Sequence, residues 1–551
     1  MMDSSYGRFL IGLSVGLEAV FLFMGIYAII YIGRFNAHMF QQNGYKINEQ
    51  ITWLKKNWKK QSVLFVWLGL SVVSYAVLRL IAPFPILYNV LLIVLYLLLF
   101  LLTGFIIYYY RFLKRFHNKR PLAFTARIKR MMITDGVLTG ALITVLALVL
   151  SRLGMKVQGE VIGIPSYFGV LISIPLAGVF QLVAYMAACV INSPLDKAIN
   201  RAYTKEALDM LNSNRSRLTV IGITGSYGKT SMKYYLEELL SVRFDVLITP
   251  GNFNTPLGVV RTIREHMTPR NEIFLCEMGA RYVGDIKELC DMVEPDMGII
   301  VSVGPQHLET FGGIENVIST KYELAEAVTR RSGKLFLNGD NSYMIDESKK
   351  YPEAVIYHAS EKDEGYRATD IVTDSEGTSF TAVTPDGESA RFETRLIGAH
   401  NVINVMGAIA VAHSLGISLK ELLIPVRRLR AVPHRLEMRR EQGVTIIDDA
   451  YNSNPVGSKA AVECLGGMKG VRIMVTPGMV ELGDKEDDYN YEFGRTAAAF
   501  CDYVALVGRR HTEPIYKGLI DAGFDESRVR TFVRLEEALQ YAYGIKDHGE
   551  K

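Results

Sequence analysis

Residues 219–231, read as TVIGITGSYGKTS, combine residue types that suit phosphate binding. The apolar run at 218–223 is mostly β-branched and predicts a buried parallel strand. A glycine-rich loop and the start of a helix should follow, and the residues there that would bind a nucleotide are Gly225, Ser226, Gly228, Lys229, Thr230 and Ser231. Glycines let the backbone approach a polyphosphate, and a helix N-terminus points free N–H groups at it. The lysine would reach the β- and γ-phosphates and the Thr230 hydroxyl would bind Mg²⁺, so the stretch predicts an ATP site.

The spacing departs from the general phosphate-loop pattern. That pattern expects a glycine five residues before Gly228, where this chain has Ile223, with Gly222 one place earlier. A glycine-rich turn without a ligand is the alternative interpretation. The strand, the loop, the Lys-Thr pair and the helix nevertheless occur in the expected order, which favours a nucleotide site.

Length and composition indicate several domains of different character. A chain of 551 residues predicts about three or four domains, and the apolar excess lies before residue 193. The net charge of +4 gives no indication of a nucleic-acid partner. The five cysteines are dispersed without a CxxC pair, which argues against a zinc ribbon or a disulfide framework.

The first 192 residues predict a five-span transmembrane domain. A bilayer core takes roughly 20 helical residues to cross. Segments of that length and apolarity lie near 9–32, 63–82, 86–109, 133–151 and 168–191. The first of them lacks a basic n-region and is too long for a typical signal peptide.

Basic residues in the loops predict the orientation of these spans. They are concentrated in the first and third loops, as Lys55, Lys56, Lys59, Lys60, Arg111, Lys114, Arg115, Lys119, Arg120, Arg127, Lys129 and Arg130. The positive-inside rule puts both loops in the cytoplasm. The N-terminus is then outside, and the ATP site is in the cytoplasm.

The remainder of the chain predicts a doubly wound α/β fold. Residues 193–217 begin with a Ser-Pro break and continue as an amphipathic connector helix, which would lie against the membrane or pack on the next domain. Strands and helices then alternate, with candidate strands at 245–249, 273–278, 297–303 and 334–338. Polar residues follow these strands at the edge where such sheets bind ligands, namely Asn252, Asn254, Glu277 and His307, with Lys321 on the next helix.

Several segments of this half resemble the Mur ligases, and most closely the MurF branch. They read TGSYGKTS, PGNFNTPLG, CEMGARYVGDI, GPQHLETFGGIENVISTKYELAEA, LNGDN, IGAHNVINVMGAIAVAHSLG, VPHRLEM, IIDDAYNSNP and TPGMVELGD. The resemblance covers most of residues 218–510. It implies a central ATP-binding domain over 218–432 and a Rossmann-like C-terminal domain over 433–551. Because family members usually continue into another strand after the helix at 535–543, we expect the C-terminal domain to be truncated or to lack that strand.

The resemblance also implies the chemistry. In the family, ATP phosphorylates a carboxylate and an amine displaces phosphate from the acyl phosphate. Thr230 and Glu277 would hold one Mg²⁺, and His307 and Lys321 a second. Lys321 matches a lysine that is carbamylated in many Mur ligases, which makes it an oxygen ligand suited to a hard cation. An ordinary solvated lysine on the helix surface is the alternative.

Further roles follow from the resemblance in the C-terminal half of the match. Asn401 or Asn404 would contact adenine. Arg435 would reach the γ-phosphate, and Asp449 would bind the ribose. The loop that contributes to the amine side corresponds to Asn452, Ser453 and Asn454. Lys229, His307, Lys321 and Arg435 are therefore the expected catalytic residues.

The five spans stand where Mur ligases carry a domain that binds a UDP-sugar precursor. The expected function is thus a ligase of the bacterial cytoplasmic membrane whose acceptor is a cell-envelope precursor, UDP-linked or polyprenyl-linked. Its amine would be an amino acid or a dipeptide, and membrane lipid would be a further partner. A poly-γ-glutamate-type ligase, an ATPase-coupled transporter and a scaffold protein with a relic ATPase are the alternatives.

The topology predicts a pattern of chemical labelling. Single cysteines introduced near Ser4 and in the 154–166 loop should react with an impermeant thiol reagent on intact cells. Cysteines at 55–60 and 115–130 should be protected, because the positive-inside rule puts these loops in the cytoplasm. The reverse pattern would refute the orientation.

Overall fold

The computed structural model describes residues 4–81, 84–116, 121–152, 156–157, 160–161, 166–360, 362, 364–374, 377–441, 443–450, 453–480 and 482–548. The chain divides into two compact units, residues 1–200 and residues 201–551. Each unit is described by itself.

The first unit is helical. Its elements are α1 (Ser4–Gln42), α2 (Ile47–Lys56), α3 (Trp58–Ile81), α4 (Pro85–Phe116), α5 (Ala126–Arg152), the short strands β1 (Lys156–Val157) and β2 (Glu160–Val161), and α6 (Ser166–Asn214). Within the described residues, α1, α3, α4, α5 and α6 are long and apolar enough to cross a membrane. The five predicted spans fall on these five helices. Of the 154–166 loop, only β1, β2 and residue 166 lie within the described residues.

Hydrogen bonds between side chains connect the helices of this unit. Gln181 Nε2 on α6 donates to Asp135 Oδ1 (3.0 Å) and Thr139 Oγ1 (2.8 Å) on α5. A Cβ atom at Gly33 on α1 would lie 3.0 Å from Gln181 Oε1, so the glycine lets α1 approach this pair closely. Interhelical hydrogen bonds and small residues are typical of helix packing in membranes.

The predicted break at Ser193-Pro194 is wrong, because α6 continues through it as one helix of 49 residues. A proline inside a helix removes one backbone hydrogen bond, and membrane helices tolerate this where neighbouring groups satisfy the freed carbonyl. Beyond residue 201, Ala207 and Leu211 are buried in the core of the second unit. The end of α6 is therefore part of the second unit, and the connector role predicted for residues 193–217 stays a prediction.

The central domain contains a nine-stranded sheet in the order β11-β10-β9-β8-β7-β6-β3-β5-β4. Its strands are β3 (Thr219–Thr224), β4 (Val246–Ile248), β5 (Ile273–Glu277), β6 (Met297–Ile300), β7 (Lys334–Asn338), β8 (Val355–His358), β9 (Tyr366–Asp374), β10 (Gly377–Val383) and β11 (Ser389–Thr394). Strands β3 to β9 pair in parallel, whereas β9, β10 and β11 pair antiparallel. The four candidate strands correspond to β4, β5, β6 and β7.

Helices cover both faces of this sheet, as a doubly wound fold requires. They are α7 (Lys229–Leu240), α8 (Pro256–His266), α9 (Asp285–Val293), α10 (Leu308–Phe311), α11 (Ile314–Arg330), α12 (Ile345–Ser348), α13 (Ala399–Ser414) and α14 (Leu419–Arg428). One apolar core joins the sheet to α7, α13 and α14, and the other joins it to α8, α9 and α11. The predicted fold class is correct for this domain.

The C-terminal domain begins with a hairpin of β12 (Glu437–Glu441) and β13 (Val444–Asp448). A parallel sheet of β14 (Ile473–Thr476), β15 (Tyr503–Val507) and β16 (Val529–Phe532) follows. Its helices are α15 (Pro455–Gly466), α16 (Glu486–Ala498), α17 (Glu513–Asp521) and α18 (Leu535–His548), with single 3₁₀ turns at Gly483–Lys485 and Glu526–Arg528. This alternation of parallel strands and helices agrees with the Rossmann-like domain expected from the sequence.

Candidate active site

The loop between β3 and α7 has the geometry predicted for a phosphate loop. Gly225 and Gly228 have φ values of 155° and 79°, in the region that favours glycine. A Cβ atom at Gly228 would lie 2.7 Å from Val301 Cγ1, so only glycine fits this close approach. Ser226 N donates to Ser302 O (2.7 Å), which fixes the loop against the residues after β6. The loop thus leads directly into the N-terminus of α7 at Lys229.

Lys229 lies over this loop. Its Nζ donates to Gly225 O (2.6 Å) and Ser226 O (3.4 Å). Burial lowers the pKa of the Lys229 ammonium to about 8; Glu277 opposes this shift and Arg435 adds to it. The loop, the carboxylate at the end of β5 and the arginine at the domain junction therefore act on one another electrostatically.

Glu277 is the buried carboxylate of the site, with 1% of its surface exposed. Its Oε1 accepts hydrogen bonds from Thr230 Oγ1 (3.3 Å) and Asn254 Nδ2 (3.1 Å). Its Oε2 lies 3.0 Å from Lys233 Nζ, at ion-pair distance, and accepts no hydrogen bond from the described residues. The Thr230 hydroxyl beside Glu277 Oε1 is an oxygen donor set that fits Mg²⁺.

Lys321 on α11 is 1% exposed. Two glycines let α11 pack closely on the sheet, since Cβ atoms at Gly222 and Gly298 would lie 2.6 Å from Leu324 Cδ1 and 2.9 Å from Val328 Cγ2. Burial, with a smaller contribution from Lys229, lowers the pKa of Lys321 to about 7. The alternative of a solvated surface lysine is therefore wrong. A pKa near neutrality leaves a substantial fraction of free amine, which is the form that reacts with CO₂ to give a carbamate.

His307 is the residue that precedes α10, after the carboxyl end of β6. Its φ of 52° is uncommon for a residue other than glycine. Such backbone strain occurs often at functional sites. The second metal site predicted from His307 and Lys321 stays a prediction.

The two asparagines predicted to contact adenine have different environments on α13. Asn401 accepts a hydrogen bond from Tyr235 OH (2.9 Å) and donates one to Ile397 O (2.8 Å), so its amide has a structural role. Asn404 lies beside the phosphate loop, with its Oδ1 3.1 Å from a Cβ atom built at Gly228. Of the two, Asn404 is therefore the better candidate for contact with a nucleotide.

The backbone on both sides of Arg435 is held by acidic side chains. His434 and Leu436 have φ values of 61° and 48°. His434 Nδ1 lies 2.8 Å from Asp448 Oδ2, and Leu436 N donates to Asp449 Oδ1 (3.2 Å). Burial raises the pKa of Asp449 to about 6, against the opposing effects of the Leu436 N–H and Arg435. These bonds fix the position of Arg435 at the junction of the two domains.

The residues predicted for the amine side are only partly described. Asn452 lies outside the described residues, and Ser453 precedes α15 in irregular backbone. Asn454 is the N-cap of α15, and its side chain accepts a hydrogen bond from Gly457 N (2.8 Å). The pocket that the sequence predicts for this loop stays a prediction.

Sequence reasoning missed Lys233 and did not find a role for Asp448. Lys233 follows Lys229 by four residues, which puts both on one face of α7 and could have drawn attention to it. Asp448 accepts a hydrogen bond from Ala450 N (3.1 Å) in the next turn, and it also pairs with His434 and Arg439, which precede it on the chain. No local pattern predicts the contacts with the two preceding residues. Lys233 contacts Glu277, which the sequence did identify.

Comparison with known families gives two matches, both within the second unit. The model of the Mur ligase middle domain matches residues 223–412, and that of the Mur ligase glutamate ligase domain matches residues 434–549. UDP-N-acetylmuramoyl-tripeptide–D-alanyl-D-alanine ligase of Escherichia coli (strain K12) is 30% identical over 337 residues, which are 60% of this chain and 74% of that protein. The ligase of the same name from Bacillus subtilis (strain 168) is 31% identical over 336 residues, which are 60% and 71% of the two chains.

Solved structures give the same result. MurF from Acinetobacter baumannii aligns with a TM-score of 0.57 and 27% identity, over 63% of this chain and 74% of that one. MurF ligase from Thermotoga maritima in complex with ADP aligns with a TM-score of 0.57 and 25% identity, over 64% and 78%. The similarity therefore covers the part of the chain that carries the predicted site.

Replacement of Lys229 tests the nucleotide site. Lys229→Ala should lower ATP turnover by more than a factor of ~100, because the side chain stabilises charge on the phosphates. Turnover is measured as phosphate release by purified protein, and circular dichroism should show unchanged helix content. Turnover like that of the wild type would contradict the assignment.

Proposed function

This chain belongs to the Mur ligase family and is an ATP-dependent peptide ligase, and from this premise we propose the reaction that it catalyses. It joins the carboxyl group of a peptidoglycan-type or related cell-envelope precursor to the amine of an amino acid or dipeptide. The observation that carries the proposal is the Thr230 hydroxyl on the buried carboxylate of Glu277, next to the phosphate loop that Lys229 covers. The named relatives use D-alanyl-D-alanine as the amine, which makes this dipeptide the first amine to test.

The chemistry requires an activated carboxylate. ATP supplies the γ-phosphoryl group: a carboxylate oxygen attacks its phosphorus, ADP leaves and an acyl phosphate forms. The amine nitrogen then attacks the carbonyl carbon, and phosphate leaves while the nitrogen loses a proton. Lys229, Arg435 and the N–H groups of the phosphate loop stabilise negative charge on the transferring group. Thr230 and Glu277 would hold Mg²⁺ beside the phosphates.

Lys321 is proposed to act as a carbamate that holds a second Mg²⁺ together with His307. Its near-complete burial supports this role, because a buried amine that is largely neutral can react with CO₂ and a solvated ammonium cannot. The carbamate replaces a cationic nitrogen by two oxygen atoms, which are the ligands that Mg²⁺ prefers.

Chemical rescue tests the carbamate. Lys321→Ala should lose ligation, and a short carboxylic acid such as acetate should restore part of it by supplying the oxygen ligands. Phosphate release that depends on the amine measures the effect. Full activity of Lys321→Ala, or no rescue by any added acid, would contradict the role.

We further propose that the first unit anchors the ligase in the cytoplasmic membrane and presents a lipid-linked acceptor. A simple anchor would need one span, and this unit has five helices that could cross a bilayer. Arg127 and Arg130 both pair with Asp196, so two guanidinium groups share one carboxylate and keep a net positive charge of one. A basic group of this kind could bind the pyrophosphate of a polyprenyl-linked precursor at the membrane surface.

The full-length protein in detergent or nanodiscs allows a direct comparison of acceptors. A polyprenyl-linked precursor should give a higher kcat/KM than its UDP-linked counterpart, with D-alanyl-D-alanine as the amine. Arg127→Gln should reduce the use of the lipid-linked acceptor alone, because the charge would bind the lipid pyrophosphate. Equal or better use of the UDP-linked form would defeat the lipid proposal and leave the ligase assignment intact.

A further inference from the structure

Lys233 is a completely buried lysine on α7, one helical turn after Lys229. Its Nζ donates hydrogen bonds to Thr249 O (2.6 Å) and Gly251 O (2.7 Å). It also lies 3.0 Å from Glu277 Oε2. Two of the three ammonium protons are therefore donated to carbonyl groups, and the charge is paired with Glu277 at ion-pair distance.

These contacts close a ring around the carboxylate. The segment 249–254 runs from the carbonyl groups bound by Lys233 to Asn254, whose Nδ2 donates to Glu277 Oε1 (3.1 Å). At the start of the same segment, Thr249 Oγ1 accepts a hydrogen bond from Glu277 N (3.2 Å). Lys233 therefore holds Glu277 directly through Oε2 and indirectly through the segment that carries Asn254.

The ring fixes which way the carboxylate points. Lys233 lies next to Oε2, so that Oε1 is directed towards Asn254 and the Thr230 hydroxyl. Since both oxygen atoms have a neighbour on a defined side, rotation of the carboxylate would break contacts at each of them. A buried carboxylate without a cation is costly, and Lys233 supplies that cation from within the protein.

We propose that Lys233 is a positioning residue for magnesium in this ligase. It orients Glu277 towards Thr230 and thereby determines how strongly the metal adds to nucleotide binding. The inference rests on the proposed function, which assigns Mg²⁺ to Thr230 and Glu277. Lys233 differs in this from Lys229, whose contacts are with the phosphate loop itself.

Binding of a fluorescent ATP analogue to the full-length protein separates the two lysines. Affinity is measured once with EDTA and once with MgCl₂. Lys233→Met should leave the affinity in EDTA unchanged and reduce the magnesium-dependent gain about 10- to 100-fold, as for other residues that orient metal ligands. Lys229→Ala should weaken binding under both conditions, because its side chain serves the phosphates directly.

Two further variants complete the experiment. Lys287→Met is the matched control, since Lys287 is exposed and its ammonium pairs with Asp291 in the i,i+4 position; it should bind like the wild type. Asn254→Ala opens the other end of the ring and should also reduce the magnesium-dependent gain. If Lys233→Met does not fold, Asn254→Ala provides the test of the ring. The fold should tolerate this change, because Asn254 is only half-buried.

The outcomes distinguish this inference from the function on which it rests. A full magnesium-dependent gain in Lys233→Met, or in Asn254→Ala if the lysine variant does not fold, overturns the positioning role alone. A wild-type protein without any magnesium-dependent gain overturns the metal assignment and this inference with it. A selective loss of the gain in either variant supports the role of Lys233.

Discussion

The ion pair between Glu277 and Lys233 is the interaction on which the rest of the site depends. Both side chains are almost completely removed from solvent, and burial of either charge alone would be strongly unfavourable. The pair joins the first helix after the phosphate loop to the carboxyl end of β5. Through this pair, α7, β5 and the segment after β4 hold the Thr230 hydroxyl beside the Glu277 carboxylate.

The sequence predicted those parts of the site that local patterns determine. The run at 218–231 predicted β3, the loop and α7, because apolar β-branched residues, glycines and a helix start are adjacent along the chain. Glu277 was found because it ends an apolar strand of a parallel sheet, where ligands bind. Lys321 was noted on the helix after His307, but its role came from family resemblance, since its burial depends on how α11 packs on the sheet.

What the sequence did not predict depends on tertiary contacts. A Ser-Pro pair suggested the end of a helix, yet α6 continues through Pro194, because the loss of one hydrogen bond is small beside the remainder of a 49-residue helix. Asp448 had no evident role because its partner His434 precedes it by 14 residues. Lys233 was not singled out, because its partners lie after β4 and at the end of β5, far from it along the chain.

The charges of the site indicate which ligand it is built to bind. The site contains four groups that are cationic when protonated, on Lys229, Lys233, Lys321 and Arg435. Glu277 is the buried carboxylate, and it interacts with Lys229 and Lys233. Glu277 balances the charge of Lys233 at short range, and this lysine lies apart from the phosphate loop. Burial is the main cause that lowers the pKa of Lys229 and of Lys321, and the charge of Lys229 lowers that of Lys321 further. A polyphosphate would add negative charge beside Lys229, which lies over the phosphate loop, and would favour the protonated form of this lysine. The site therefore suits an anionic ligand at the loop, whereas the lowered pKa of Lys321 suits a group that reacts as a free amine.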